Sequence, residues 1–218
     1  STDWKNAKCY SGTYYDRAKA VIRLHIGANS ACTGWLVGCA GHLFTNNHCI
    51  ARQAEANNTD YEFMGEGSTC STNCDSWMAC PGTIWNGTPT LIQTDATLDY
   101  TLIQLSGNPQ NTYGYLQLRQ SGPTLNETIY IPQHPNAWGK KIALDSDRDS
   151  GGKCKVNQLN YNNCYTYDIG YYCDTAGGSS GSPVIGDQDD LAIALHHCGS
   201  CMNSATPIDD IIADLGSN

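Results

Sequence analysis

Charged side chains are scarce in this chain. They make up 15% of 218 residues, and only 12 are Lys or Arg against 21 Asp or Glu. The resulting formal charge of -9 leaves no basic face for phosphates, so nucleic acid is excluded as an expected partner. An acidic surface would instead draw cationic substrates, or simply keep the protein dissolved. Long apolar runs are also missing. None approaches the roughly 20 residues that a membrane-spanning helix needs, so no membrane partner is expected. The polar start Ser1-Thr2-Asp3-Trp4-Lys5 has no signal-peptide character, and the chain is expected to begin after processing. No internal repeat or low-complexity tract is present, and helical periodicity is confined to one stretch, Ile208 to Leu215, with Gly216 as its stop.

Cysteine, by contrast, is abundant. The twelve, at 9, 32, 39, 49, 70, 74, 80, 154, 164, 173, 198 and 201, are even in number and spread along the chain, which reads as six disulfides formed in an oxidising compartment. Cys198-Gly199-Ser200-Cys201 has metal-ligand spacing and follows His196-His197, but no second pair of that spacing exists. No metal and no cofactor are therefore expected. Three sequons, Asn57-Asn58-Thr59, Asn86-Gly87-Thr88 and Asn126-Glu127-Thr128, agree with a secreted glycoprotein, and a monomer is favoured.

Short β-prone runs separated by turns fill most of the length. Val21 to Ile26, Cys32 to Val37, Leu43 to Ile50, Thr90 to Gln93 and Tyr100 to Leu105 occupy the first half; residues 51 to 88 read as loops with a strand or two. Thr128 to Ile131, Leu159 to Tyr167, Ile169 to Cys173, Val184-Ile185 and Leu191 to Leu195 follow. Many short strands with almost no helix predict an all-β sandwich or barrel fold.

The stretch Gly177-Gly178-Ser179-Ser180-Gly181-Ser182-Pro183 concentrates flexible residues around the adjacent hydroxyls of Ser179 and Ser180, with a third at Ser182. A serine on such a turn can face outward while nearby N–H groups converge on a developing oxyanion. Nucleophilic serine chemistry also needs a base and a carboxylate that orients it. His48, at the end of a β-run and next to Cys49, and Asp99, just before Tyr100 to Leu105, suit those roles. On composition alone His25, His42, His134, His196 and His197 compete.

Thr45-Asn46-Asn47-His48-Cys49 resembles the Thr-Ala-Ala-His-Cys motif of trypsin-like serine proteases. Asp99-Tyr100-Thr101-Leu102-Ile103 resembles their Asp-Ile-Ala-Leu-Leu, and Gly178-Ser179-Ser180-Gly181-Ser182-Pro183 their Gly-Asp-Ser-Gly-Gly-Pro. His, then Asp about 50 residues on, then Ser about 80 beyond, is the order of that superfamily. Within it, Ala31 to Val37, Ile131-Pro132-Gln133-His134-Pro135-Asn136 and the serine motif look most like bacterial lysyl endopeptidases, with glutamyl endopeptidases next. The resemblance implies two six-stranded antiparallel β-barrels and a short C-terminal helix. These form one peptidase domain over residues 1–218, with His48 and Asp99 on a first barrel near 1–110 and Ser180 on a second near 111–218. It makes His48 the general base, Asp99 its orienter, Ser180 the nucleophile, and the N–H groups of Gly178 and Ser180 the oxyanion hole. Cys32 and Cys49 fall where those enzymes carry a bridge beside the catalytic histidine.

Two departures stand out. Ser179 replaces the aspartate that pairs with a new terminal amine in trypsin-like zymogens, so the oxyanion loop must be held otherwise, with the N-terminal segment through Cys9 one candidate. Asn46 and Asn47 replace small residues before the histidine. For specificity, Asp174, six places before Ser180, matches the pocket-floor aspartate of trypsin-like enzymes and predicts cleavage of protein or peptide substrates after Lys or Arg. His196 and His197 fall on the opposite wall, where a histidine helps glutamyl enzymes bind a carboxylate; specificity for Glu is the alternative, and an inactive homologue acting as a binding module a further one. No carboxylate stands in Asn203-Ser204-Ala205-Thr206, where lysyl endopeptidases are expected to carry theirs. Cys201 would lie at the pocket rim, bridged to Cys173.

Overall fold

A computed structural model describes residues 2–150 and 152–216. Two antiparallel sheets carry the chain. The first has seven strands in the spatial order Thr83–Ile84, Thr59–Phe63, Val21–Ile26, Ser30–Val37, His42–Thr45, Tyr100–Leu105 and Pro89–Asp95. The second has eight: Lys5–Asn6, Lys141–Ala143, Ile129–Gln133, Pro183–Gly186, Ala192–Cys198, Asn203–Pro207, Asp168–Tyr171 and Val156–Tyr161. Each holds more than the expected six, and a two-residue strand at one edge contributes to the excess in both. Thr83–Ile84 extends the first, and Lys5–Asn6 crosses from the N-terminal segment to extend the second.

The β-prone runs fold as read because their apolar residues have a side to bury. In Tyr100–Leu105, Tyr100, Ile103 and Leu105 pack with Trp35 and Phe44 of neighbouring strands. This first core continues into Ile185, Leu195 and Ile208 of the second half, while Ile131, Val156, Tyr171, Val184 and Ile193 form a separate core on the second sheet. Two strands and three short helices escape the sequence pattern. Lys141–Ala143 is only three residues long, Asn203–Pro207 lacks apolar alternation, and the short helices Thr13–Ala18, Gln53–Asn57 and Gln110–Tyr113 are too brief to show a helical period. The expected C-terminal helix runs Ile208–Gly216, taking in the predicted stop residue, and is fastened to the first sheet where Tyr100 Oη and Gln93 Nε2 donate to Asp214 Oδ2 at 2.5 and 3.0 Å.

Five disulfides form among the described residues: Cys9–Cys70, Cys32–Cys49, Cys74–Cys80, Cys154–Cys173 and Cys164–Cys198. The expected Cys173–Cys201 bridge is absent. Sheet register decides this: Val156 pairs with Tyr171, so Cys154 and Cys173, each two residues further out, face one another. Cys201 and Cys39 are left as exposed thiols, so the sixth bridge does not form.

Trp35 is fully buried, whereas Ile92 is 47% exposed. Urea unfolding should show Trp35→Ala costing about 3–5 kcal/mol and Ile92→Ala staying within about 0.5 kcal/mol of the parent. Equal effects would contradict the assigned core.

Candidate active site

His48 follows the strand His42–Thr45 on a turn closed by the N–H groups of Cys49 and Ile50 donating to Asn46 O. The Cys32–Cys49 bridge ties that turn to the neighbouring strand, in agreement with the expected pairing. Asp99 sits immediately before Tyr100–Leu105, as expected, and in the left-handed region at φ 50°, which Asp tolerates better than most residues. Its carboxylate is 1% exposed. Asp99 Oδ2 accepts from His48 Nδ1 at 2.7 Å and Oδ1 from the His48 N–H at 2.9 Å, so one carboxylate fixes both ring and backbone. With Nδ1 as donor, Nε2 is the free base of the neutral ring. The His48 side chain is 44% exposed. Asn46, one of the unusual residues before the histidine, is buried and donates from Nδ2 to Asp99 O at 2.9 Å.

The Gly/Ser turn is joined to this first half through Thr33. The Thr33 N–H donates to Ser180 O at 2.8 Å, and Thr33 Oγ1 donates to Gly178 O at 2.8 Å while accepting from the His134 N–H at 3.1 Å. Thr33 is adjacent to Cys32, whose bridge partner is adjacent to His48. Base and serine are thereby hung from consecutive residues of one strand. At Gly178, φ is +90° and a Cβ would lie 2.8 Å from His134 O, so only glycine fits. Gly177 O accepts from the Asn136 N–H at 2.5 Å, and in a trans peptide the Gly178 N–H then points the opposite way. Neither that N–H nor the one of Ser180 has a hydrogen-bond partner among the described residues.

His196 and His197 do not line an open wall. His196 is buried against Tyr171, with 2.6 Å between Tyr171 Oη and Nδ1; burial, and then the charge of His197, lower its pKa to about 3, so it is neutral. His197 turns to the back of Asp99. Its Nδ1 lies 3.4 Å from Asp99 Oδ2, its Nε2 2.8 Å from Asp168 Oδ2, and the Tyr165 ring stacks on it at 4.5 Å. Burial opposes the charge on His197, but the hydrogen bonds to Asp168 and Asp99 outweigh it and raise its pKa. Burial likewise opposes ionisation of Asp99, and the hydrogen bonds from His197 and His48 overcome it, holding the carboxyl below its ordinary range. The Asp168, His197 and Tyr165 cluster has no local sequence signature; only the sheet pairing of His196 with Ala205 and Ile169 with Ala205 brings those strands together.

Asp174 is half-buried, and its Oδ2 accepts from the Asp3 N–H at 2.6 Å. The N-terminal segment thus reaches the loop before the serine directly, while Cys9 is bridged elsewhere, to Cys70. Asp174 lines a cavity of about 140 Å³ together with Asp147, Arg148, Tyr171, Tyr172, Ser200, Cys201 and Asn203.

The pKa directions set a pH dependence. His197 contributes stability that is complete below the ordinary histidine value and is lost as pH rises through its raised folded value. Asp99 contributes above the ordinary carboxylate value and loses it as acid passes below its lowered one. The stability gap between the parent and His197→Gln, measured by urea unfolding, should narrow as pH rises from mildly acid to alkaline. A gap that stays constant would mean that His197 is neutral throughout.

The family described as lysyl endopeptidase, C-terminal domain, matches residues 4–211. Secreted RxLR effector protein 73 of Plasmopara viticola is 48% identical over 216 residues, covering 97% of this chain and 53% of that protein. Glutamyl endopeptidase of Bacillus licheniformis is 26% identical over 219 residues, covering 89% and 61%. The chain therefore spans only about half to three fifths of these relatives. A solved Glu endopeptidase in complex with MPD superposes with a TM-score of 0.65 at 18% identity, covering 99% of this chain and 97% of that one. An HtrA-type protease with tripeptide gives 0.66 at 15%, covering 97% and 62%. At such identities the superpositions speak for the fold, a chymotrypsin-like serine protease fold. Since the family match runs through nearly all of it, this chain belongs to the lysyl endopeptidase C-terminal domain family.

Proposed function

We propose that the protein is a secreted serine endopeptidase in which Ser180 attacks a peptide carbonyl. The observation that carries this reading is the Asp99 carboxylate bound to both the ring and the backbone of His48, with the Ser180 turn tied to the same strand by Thr33. His48 Nε2 takes the Ser180 proton as the Oγ–carbon bond forms, and Asp99 stabilises the imidazolium. The oxyanion is received by the N–H groups of Gly178 and Ser180. The imidazolium then protonates the leaving amine, and water, deprotonated by His48, releases the acyl group. The two lobes meet near residue 110, with His48 and Asp99 on one and Ser180 on the other. Secretion is supported by the disulfides and by a relative named as a secreted effector.

Cleavage after Lys or Arg is the favoured specificity. Asp174 Oδ1 has no partner among the described residues, and Asp147 adds a second carboxylate to the same cavity. Neutral His196 offers no charge to an acidic side chain, and the charge of His197 is already faced by Asp99 and Asp168. Arg148, which also lines the cavity, is the observation that favours the second reading, cleavage after Glu. The effector name of the 48% identical relative supports a third, a catalytically silent binding module.

A fluorophosphonate should label the parent chain and not Ser180→Ala, whose turnover should fall roughly 10⁶-fold. Labelling of Ser180→Ala would move the nucleophile elsewhere, and an unlabelled parent would favour the binding module. Mass spectrometry of a digested denatured protein should find cuts after Lys and Arg; cuts after Glu would transfer the specificity role from Asp174 to Arg148.

A further inference from the structure

The loop from Asp174 to Ser179 carries both the proposed specificity carboxylate and the Gly178 oxyanion donor, yet no ion pair holds it among the described residues. Ser179, fully buried, stands where the resemblance would place a charged anchor. Its Oγ donates to Gln133 Oε1 at 2.5 Å, while Gln133 Nε2 donates to Asp174 O at 2.8 Å. Gln133 is itself fully buried at the end of the strand Ile129–Gln133. One neutral amide therefore spans the loop, its acceptor closing one end and its donor the other. Ser179 Oγ in turn accepts from the Ala176 N–H at 3.2 Å, and the Ser182 N–H and hydroxyl both donate to Ser179 O, at 3.0 and 2.6 Å.

The middle of the loop is held by the residues that follow Gln133. Asn136 N–H donates to Gly177 O, the contact that turns the Gly178 N–H toward the opposite side. Asn136 and Ala137 both lie in the left-handed region, at φ 54° and 56°, a conformation that persists only where surroundings enforce it. The enforcement is visible: Arg23 Nη1 donates to Ala137 O at 3.0 Å, and Arg23 is buried with its Nε 2.7 Å from Glu62 Oε2. Met78 N–H also donates to Ala137 O at 3.0 Å.

We propose that Gln133 is a positioning residue for the oxyanion hole. Through Ser179 and the Asp174 carbonyl it fixes the loop so that the Gly178 N–H is aimed by neutral groups. The proposal rests on the serine endopeptidase reading and deepens it. The clamp itself is neutral and does not titrate with carboxylates or amines, unlike an anchor made of an amine and an aspartate; the charged contact on the loop is the Asp174 carboxylate, which accepts from the Asp3 N–H.

Gln133→Met keeps the side-chain length and removes both polar groups. Its kcat should fall about 10²-fold, the scale of a misplaced catalytic group, with KM changed little. Affinity for a peptide aldehyde, which forms an oxyanion at the same place, should fall in parallel. Ser179→Ala should lower kcat in the same direction, and the two losses should be less than additive in the double variant, since both substitutions break the Ser179 to Gln133 hydrogen bond. Unchanged kcat, or a loss confined to thermal stability or KM, would overturn the proposal. Hydrogen exchange read by mass spectrometry gives a second test that needs no turnover: in Ser179→Ala, amides in 174–180 should exchange faster while the first sheet is unaffected. Unaltered exchange there would also overturn it. If the parent chain resists a fluorophosphonate, the protease reading fails, and the exchange result still decides whether the clamp exists. If Gln133→Met does not fold, Ser179→Ala carries the same kcat, aldehyde and exchange readouts.

Discussion

The two sheets share a core, and three hydrogen bonds at Thr33 join them beside His48 and Ser180, where the proposed chemistry needs precision. Triad chemistry tolerates misplacement of a fraction of an ångström, and residues donated by separate sheets have no reason to keep such precision unless a rigid contact spans them. Thr33 pairs with Arg23 on one side of its strand, and on the other, before the pairing of Trp35 with Phe44 begins, its backbone faces the serine turn. Its N–H and hydroxyl hold the serine turn, and its neighbour Cys32 holds the histidine turn. Even its carbonyl is engaged, accepting from Thr45 Oγ1 at 2.9 Å. Gly181 follows from this closeness, because a Cβ there would lie 2.1 Å from Thr33 O.

Around that joint the charges are arranged in depth. A buried carboxylate is costly unless paired and hydrogen-bonded, and Asp99 has His48 in front, His197 behind and Asp168 beyond His197. His197, whose charged form is favoured by hydrogen bonds to Asp168 and Asp99, in turn favours the ionised form of buried Asp99. That is the state needed to keep the His48 ring in the tautomer with Nε2 free. His196, one residue earlier, is pushed the other way by its surroundings. The pKa values of the adjacent histidines thus shift in opposite directions because strand alternation sends one to Asp99 and one to Tyr171.

Much of this was legible in the sequence. The strands with apolar alternation, the three short motifs and the Cys32 to Cys49 pairing could be found locally or by resemblance. The rest depends on register. Which cysteine meets Cys173, and which carboxylate backs His197, are set by how distant strands align, and nothing within a few residues of either position encodes that. Asn203–Pro207 was missed for a related reason. Its small polar residues carry no alternation, and it is a strand because Asp168–Tyr171 and Ala192–Cys198 lie on either side of it. Gln133 was visible only as part of a family-like segment, since a buried amide cannot be told from an exposed one without its partners.

The central claim is that His48 and Ser180 act on one substrate carbonyl, and a lysyl peptide chloromethyl ketone tests it most directly. If Ser180 Oγ adds to the ketone, the chloromethyl carbon is delivered to His48 Nε2, a C–N bond forms and chloride leaves. The account predicts one adduct per chain, located by peptide mapping on His48 alone among the six histidines and absent from Ser180→Ala. Failure to form an adduct, modification of another histidine, or equal modification of Ser180→Ala would contradict it.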